Sequence, residues 1–182
     1  MPTEISGSTG VNKIQDNTIV NADINSSAAI AGSKLVMPTG SVLQVVSSVW
    51  TGSVTTTSNT LTATGLTCNI TPSSSSSKIL VTITGSDQTM SANDVGCLNT
   101  IFRTPSGGST VNIAEGSEIQ ITYEAVGGSW LSMPICMQKL DSPSTTTALT
   151  YAYAFATRDS GNTSKVNMFG GETIMTLMEI AG

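Results

Sequence analysis

Apolar and polar positions follow two different rules along this chain, and the change comes near Gly40. Beyond that point short runs alternate with a period of two, the signature of half-buried strands. SVLQVVSSVW, 41–50, is the first strand, apolar on most positions of both faces. LTCNIT points Leu66, Cys68 and Ile70 one way, and after the turn 72–77 KILVTIT points Ile79, Val81 and Ile83 together. These two runs are expected to pair as an antiparallel hairpin. Further runs cover 97–103, 118–124 and 130–140. In 118–124, Ile119, Ile121 and Tyr123 are expected to face inward, against Glu118, Gln120, Thr122 and Glu124 outward. LTYAYAFAT sets Leu149, Tyr151, Tyr153 and Phe155 against Thr150, Ala152, Ala154 and Ala156, one bulky face and one nearly flat. That strand is expected to be central, its alanines facing either a crowded second sheet or a neighbouring subunit. The run TIMTLMEIAG ends the series and is apolar on both faces, so its end is expected to lie buried in a sheet.

Before Gly40 the pattern is different. Ile14, Ile19, Ile24, Ile30 and Leu35 place one aliphatic side chain about every fifth position among small and polar residues. That spacing serves neither a helix face nor a strand face, so the segment cannot close a core of its own. Its only helix-like piece is SSAAIAGSKL, which Ser26 or Ser27 could cap. Gly32 limits it to about two turns, too short to be stable unsupported. Pro38, Thr39 and Gly40 read as a hinge. The expected organisation is therefore an extended anchoring segment, 1–38, with at most one short helix, followed by a β head, 39–182. Roughly ten short strands with glycine pairs at 107, 127 and 170 marking turns predict an all-β antiparallel sandwich of jelly-roll type.

Composition narrows the function. Only 10% of residues are charged, and Ser with Thr supply close to a third, so the surface must consist of hydroxyls and amides. The net charge is −5 and the seven basic residues are scattered, which argues against nucleic-acid binding. No apolar run approaches the roughly 18 residues a bilayer-spanning helix needs, and the first ten residues lack a basic region followed by an apolar stretch. Membrane insertion and a secretory leader are therefore not expected. Cys68, Cys97 and Cys136 are odd in number, lack paired spacing and each fall in an alternating run, and are read as reduced core residues of a protein folded in the cytoplasm.

Candidate chemistry is sparse. The chain contains no histidine, which removes the commonest general base and metal ligand and every Ser-His-Asp or Cys-His arrangement. No phosphate-cradling glycine motif occurs. The twelve carboxylates are dispersed, and a pair such as Glu118 with Glu172 fits solubilising strand faces better than glycoside hydrolysis. Asp87, Asn93 and Asp94 fall within SDQTMSANDVG, read as a loop, where turn chemistry explains Asx residues better than calcium ligation. Asn25, Asn69 and Asn162 begin N-x-S/T triplets that so hydroxyl-rich a chain produces by chance. Met133, Met137, Met168, Met175 and Met178 read as adaptable core filler. No catalytic residue, metal site or cofactor is expected.

The run DNTIVNADINSSAAIAGSKL with its proline-glycine hinge resembles the N-terminal segments of tail-fibre and related virion proteins of bacterial viruses, especially marine and cyanobacterial ones. TGLTCNITPSSSSSKILVTITG, MPICMQKLDSPSTTTALTYAYAFATR and the terminal TLMEIAG resemble the β head found in those proteins. The resemblance implies a non-enzymatic virion protein, assembled in the host bacterial cytoplasm as a homotrimer. Its N-terminal segment would dock to other virion proteins of tail or capsid, and its head would contribute to host attachment. Three copies of the aliphatic ladder can bury one another around an axis where one copy cannot. Ala152, Ala154 and Ala156 are then candidates for a subunit interface. The loops carrying Asp87, Asn93, Asp94 and Ser106 are candidates for facing a receptor such as host surface glycan. Long adhesion fibres carry a shaft, whereas here anchor passes straight to head, so a capsid decoration or cement role is the alternative expectation.

Overall fold

The computed structural model describes residues 24–28, 30, 35–90, 95–124 and 131–182. The chain divides into two units, Met1–Val36 and Met37–Gly182. In the first, the described residues form a turn: Asn25 accepts the amide of Ala28 on its carbonyl at 2.8 Å and that of Ser27 on its side-chain oxygen at 2.8 Å. Asparagine favours this geometry because its side chain can stand in for a backbone carbonyl. Most of the helix-like piece, 29 and 31–34, lies outside the described residues, as do Trp130 and the glycine pair at 127.

Among the described residues, the second unit holds eleven strands and no helix. They are β1 (Val42–Trp50), β2 (Val54–Thr56), β3 (Thr62–Ile70), β4 (Lys78–Met90), β5 (Val95–Pro105), β6 (Val111–Asn112), β7 (Gln120–Glu124), β8 (Leu131–Asp141), β9 (Leu149–Thr157), β10 (Ser164–Val166) and β11 (Thr173–Ile180). With the short β2, β6 and β10 set aside, one sheet runs β1-β11-β4-β8 and the other β3-β9-β5-β7, all neighbours antiparallel. First and last strands lie side by side, and the chain alternates between sheets in the interleaving of two Greek keys, which makes the fold a jelly roll.

The core lies between the sheets. Leu66, Cys68 and Ile70 of β3 and Tyr151, Tyr153 and Phe155 of β9 meet Ile79, Val81 and Ile83 of β4 and Met175 and Leu177 of β11, all buried. Each such aliphatic or aromatic side chain contributes about 1.5–3 kcal/mol by leaving water. The expected β3–β4 hairpin does not form: β3 pairs β9 and β4 pairs β11 and β8, so the two runs belong to opposite sheets of the sandwich. Alternation fixed which faces are apolar but could not tell a cross-strand neighbour from one across the core. As expected, β9 is central, between β3 and β5. β11 lies between β1 and β4 and buries every second residue, but its end is less covered than expected, with Ile180 half-buried and Gly182 exposed.

Three local readings are corrected. In β7 the faces are reversed, with Ile121 and Tyr123 exposed and Thr122 buried. Register explains this, because Thr122 lies opposite the buried Cys97 on β5 while Ile121 lies opposite Leu98 on the outer face. Cys136 is exposed, on the outer side of β8 opposite Thr84; Cys68 and Cys97 are buried and all three are free thiols. Finally, 86–90 is strand and not loop. The β4–β8 register slips between Gly85 and Asp87, and the bulge changes which parity faces inward, so that Gln88 and Met90 are buried beyond it. Gly85 makes the bulge possible: its φ is 127°, and a Cβ there would run into the backbone carbonyl of Glu172.

Candidate functional site

The residues singled out from the sequence do not converge on one place. Ile14, Ile19, Asn93 and Asp94 lie outside the described residues. Ile24, Ile30 and Leu35 are exposed by 40, 46 and 50%. Ala154 and Ala156 are fully buried within the single chain, and Ala152 is half-buried, so only Ala152 offers surface on that face. Asp87 belongs to β4, where its carboxylate accepts the Thr89 hydroxyl at 2.6 Å and its carbonyl accepts the Asn167 amide at 2.7 Å. Of the receptor-facing candidates that can be placed, Ser106 alone lies in an exposed turn.

That turn borders a shallow cleft of about 390 Å³ at one end of the outer face of the second sheet, lined by Asn69, Thr104, Pro105, Ser106, Gly107, Gly108, Ala148, Leu149 and Thr150. Three strands build its floor in register: Asn69 of β3 lies opposite Thr150 of β9, which lies opposite Thr104 of β5. The Thr150 hydroxyl donates to the Asn69 side-chain oxygen at 2.8 Å, and the Thr104 and Thr110 hydroxyls share a bond of 2.7 Å. The wall is the turn 105–108, closed by Gly108 N–H donating to the Pro105 carbonyl at 2.9 Å and tied to the residue that precedes β9 by Ser106 N–H donating to the Ala148 carbonyl at 2.8 Å. Gly107 takes the left-handed conformation at φ 73° that this turn requires. Sequence reasoning places Thr104 and Ser106 together in one receptor-facing polar loop and sets Asn69 and Thr150 on the outward faces of their strands, but nothing local says that the three strands are neighbours.

Beneath the cleft and along β9, polar side chains bridge the sheets. Arg103 Nη1 reaches both oxygens of Asp141 at 2.7 Å, and the Tyr151 hydroxyl donates to the same carboxylate at 2.7 Å. Burial raises the Tyr151 phenol above its ordinary range, and the Asp141 carboxylate that it serves raises it further. Two residues on, the Tyr153 hydroxyl donates to the Asn99 side-chain oxygen at 2.6 Å. Asn99 Nδ2 donates to Gln88 Oε1 at 2.5 Å, and Gln88 Nε2 donates to the Thr122 hydroxyl. Burial also pushes the neighbouring Cys97 thiol up to about 12, so it is no nucleophile at neutral pH. These groups are committed to one another. No group of three His, Cys, Asp or Glu side chains that could hold a metal ion occurs among the described residues.

No protein-family model and no curated protein sequence matches the chain. Among solved structures it is similar to a chain in the structure of infectious bursal disease virus Gt strain, at 12% identity and a TM-score of 0.48, over 85% of this chain and 42% of that one. It is also similar to the infectious bursal disease virus VP2 subviral particle, at 14% identity and a TM-score of 0.40, over 85% and 41%. The chain thus spans about two-fifths of the length of those proteins. The jelly roll rests on this chain's own strand pairing.

Proposed function

We propose that this protein is a virion structural component of a bacterial virus, a trimeric tail fibre or knob that docks to the particle through its N-terminal segment and contributes to host-surface adsorption. The observation that carries the reading is the aliphatic ladder. Ile14, Ile19, Ile24, Ile30 and Leu35 precede the jelly roll in the sequence, and their spacing gives a single copy of the segment no core to bury them in. Partners, either further copies or other virion proteins, supply what is missing. The head supports the same reading, because it offers a hydroxyl-rich surface, and its polar clusters are spent on joining the sheets. A jelly roll by itself carries no function.

Immunogold labelling of intact particles tests the proposal. Label on the tail is expected. Label confined to the capsid lattice would assign the decoration role instead, and no label on any particle would refute both. Light scattering on the purified chain tests the trimer, with a mass near three times 18.7 kDa expected. A stable monomer would remove the role given to the ladder.

A further inference from the structure

We propose that the cleft between β3, β5, β9 and the turn 105–108 binds a neutral glycan through hydrogen bonds to its ring hydroxyls. This deepens the adsorption reading and rests on it. Four features favour that ligand class. First, Asn69, Thr150 and Thr104 present an amide and two hydroxyls on adjacent strands, spaced at about 4.8 Å, roughly the width of one sugar ring. Second, the bonds already made leave both kinds of hydrogen-bonding capacity. Thr150 occupies the Asn69 carboxamide oxygen, so the Asn69 NH₂ retains its donors and the Thr150 oxygen its lone pairs, while Thr104 and Thr110 spend only one hydroxyl hydrogen on each other. A sugar hydroxyl, which both donates and accepts, matches such a mixed row.

Third, none of the nine lining residues is charged or aromatic. A phosphate, sialic acid or uronic acid would find no cation to compensate its desolvation, and a flat aromatic ligand would find nothing to stack on. Fourth, the wall at Gly107 and Gly108 carries no side chains, and a Cβ at Gly107 would meet nothing within 4 Å, so a bulky ring can approach the backbone. The volume of about 390 Å³ lies in the range of small-ligand sites and suits one or two sugar rings. Without an aromatic platform a single cleft binds weakly, near millimolar, and several copies on one particle convert this to useful avidity.

Saturation-transfer NMR on the full chain tests the proposal with the methyl glycosides of glucose, galactose, mannose and N-acetylglucosamine as probes, and with sialyllactose and glucose 6-phosphate as charged comparators. At least one neutral glycoside is expected to bind and the charged sugars are not. Thr150→Val and Ser106→Trp are expected to weaken binding about tenfold or more, a loss of about 1.4 kcal/mol. Thr82→Val on the other sheet should leave it unchanged. Thermal melts matching the parent confirm that the variants fold, and if Thr150→Val does not fold, the exposed Ser106→Trp carries the test. Silence from every neutral sugar up to about 50 mM, preference for a charged one, or undiminished binding by the folded variants overturns the inference. Immunogold label on the tail together with such silence would refute the glycan cleft and leave the virion placement standing.

Discussion

Two inward positions of β9, Tyr151 and Tyr153, present the same problem and are served in opposite ways. Each buries a phenol whose hydroxyl must find a partner away from water. Tyr151 finds a charge: Asp141, which a guanidinium also holds from the other sheet, with Arg103 and Asp141 side chains 19 and 10% exposed. Tyr153 finds an uncharged amide, Asn99, in a chain of side chains that are all buried. In these two clusters the charges sit where some water remains and the neutral amides where the side chains are buried, in line with the cost of desolvating an ion. Both clusters tie the sheets together, since β5 and β9 face β8 in the first while β5, β7 and β9 face β4 in the second.

The neutral cluster should be the more fragile. Asn99→Ala removes the hub, leaving the Tyr153 hydroxyl and the Gln88 carboxamide oxygen without their present partner in a water-free site. Each orphaned group costs about 1–3 kcal/mol, and the vacated space adds to this. A loss near 4 kcal/mol in urea unfolding is expected. A loss under about 1 kcal/mol would mean that water enters the site and satisfies both groups. Ionic strength should have no effect on the difference between variant and parent.

Asp141→Asn should cost less, about 2 kcal/mol, because Arg103 can turn toward the water that already reaches it. The contrast lies in salt. Since the pair is partly exposed, raising sodium chloride to about 1 M should shrink the difference between variant and parent. If salt changes the cost of Asn99→Ala as much as that of Asp141→Asn, the distinction between the two clusters fails.

The sequence made some of this legible and hid the rest for a physical reason. Alternation fixed the inward faces of β3, β4 and β9, because the apolar side chains at 66, 68, 70, 79, 81, 83, 151, 153 and 155 obey a period of two with no break. The jelly-roll class followed from the number and brevity of such runs. Alternation does not carry partner choice: it makes β3 and β4 resemble a hairpin, whereas they face each other across the core. Nor could it carry a change of phase. The bulge at Gly85 ended the visible pattern of β4 and made Gln88 look like part of a loop, although it is a buried link between the sheets. Thr122 reads as outward because it is polar, but its register opposite Cys97 turns it inward, where its hydroxyl accepts from Gln88. The cleft failed to appear for the same reason as the hairpin: Asn69, Thr104 and Thr150 are remote in sequence and meet only through sheet order.

Glu179 combines the two solutions and sharpens the comparison with the smallest effect. It is a charge, like Asp141, fully buried near the C-terminal end of β11, yet held by neutral donors, like Asn99. Ser73 donates its amide at 2.7 Å and its hydroxyl at 2.6 Å, and Gln44 donates from Nε2 at 2.6 Å. Burial raises the carboxyl, but the bonds from Ser73 and Gln44 outweigh it and hold the group below its ordinary value of 4.5. A folded value lower than the unfolded one means that the carboxylate stabilises the fold fully above the unfolded value. That contribution is lost as the pH falls below about 4.5 and through the folded value. Unfolding free energy measured against pH should therefore slope downward on the acid side of 4.5, and Glu179→Gln should flatten that slope while lowering stability at neutral pH. A variant with the same acid slope as the parent would show that neutral donors do not favour the charged form here.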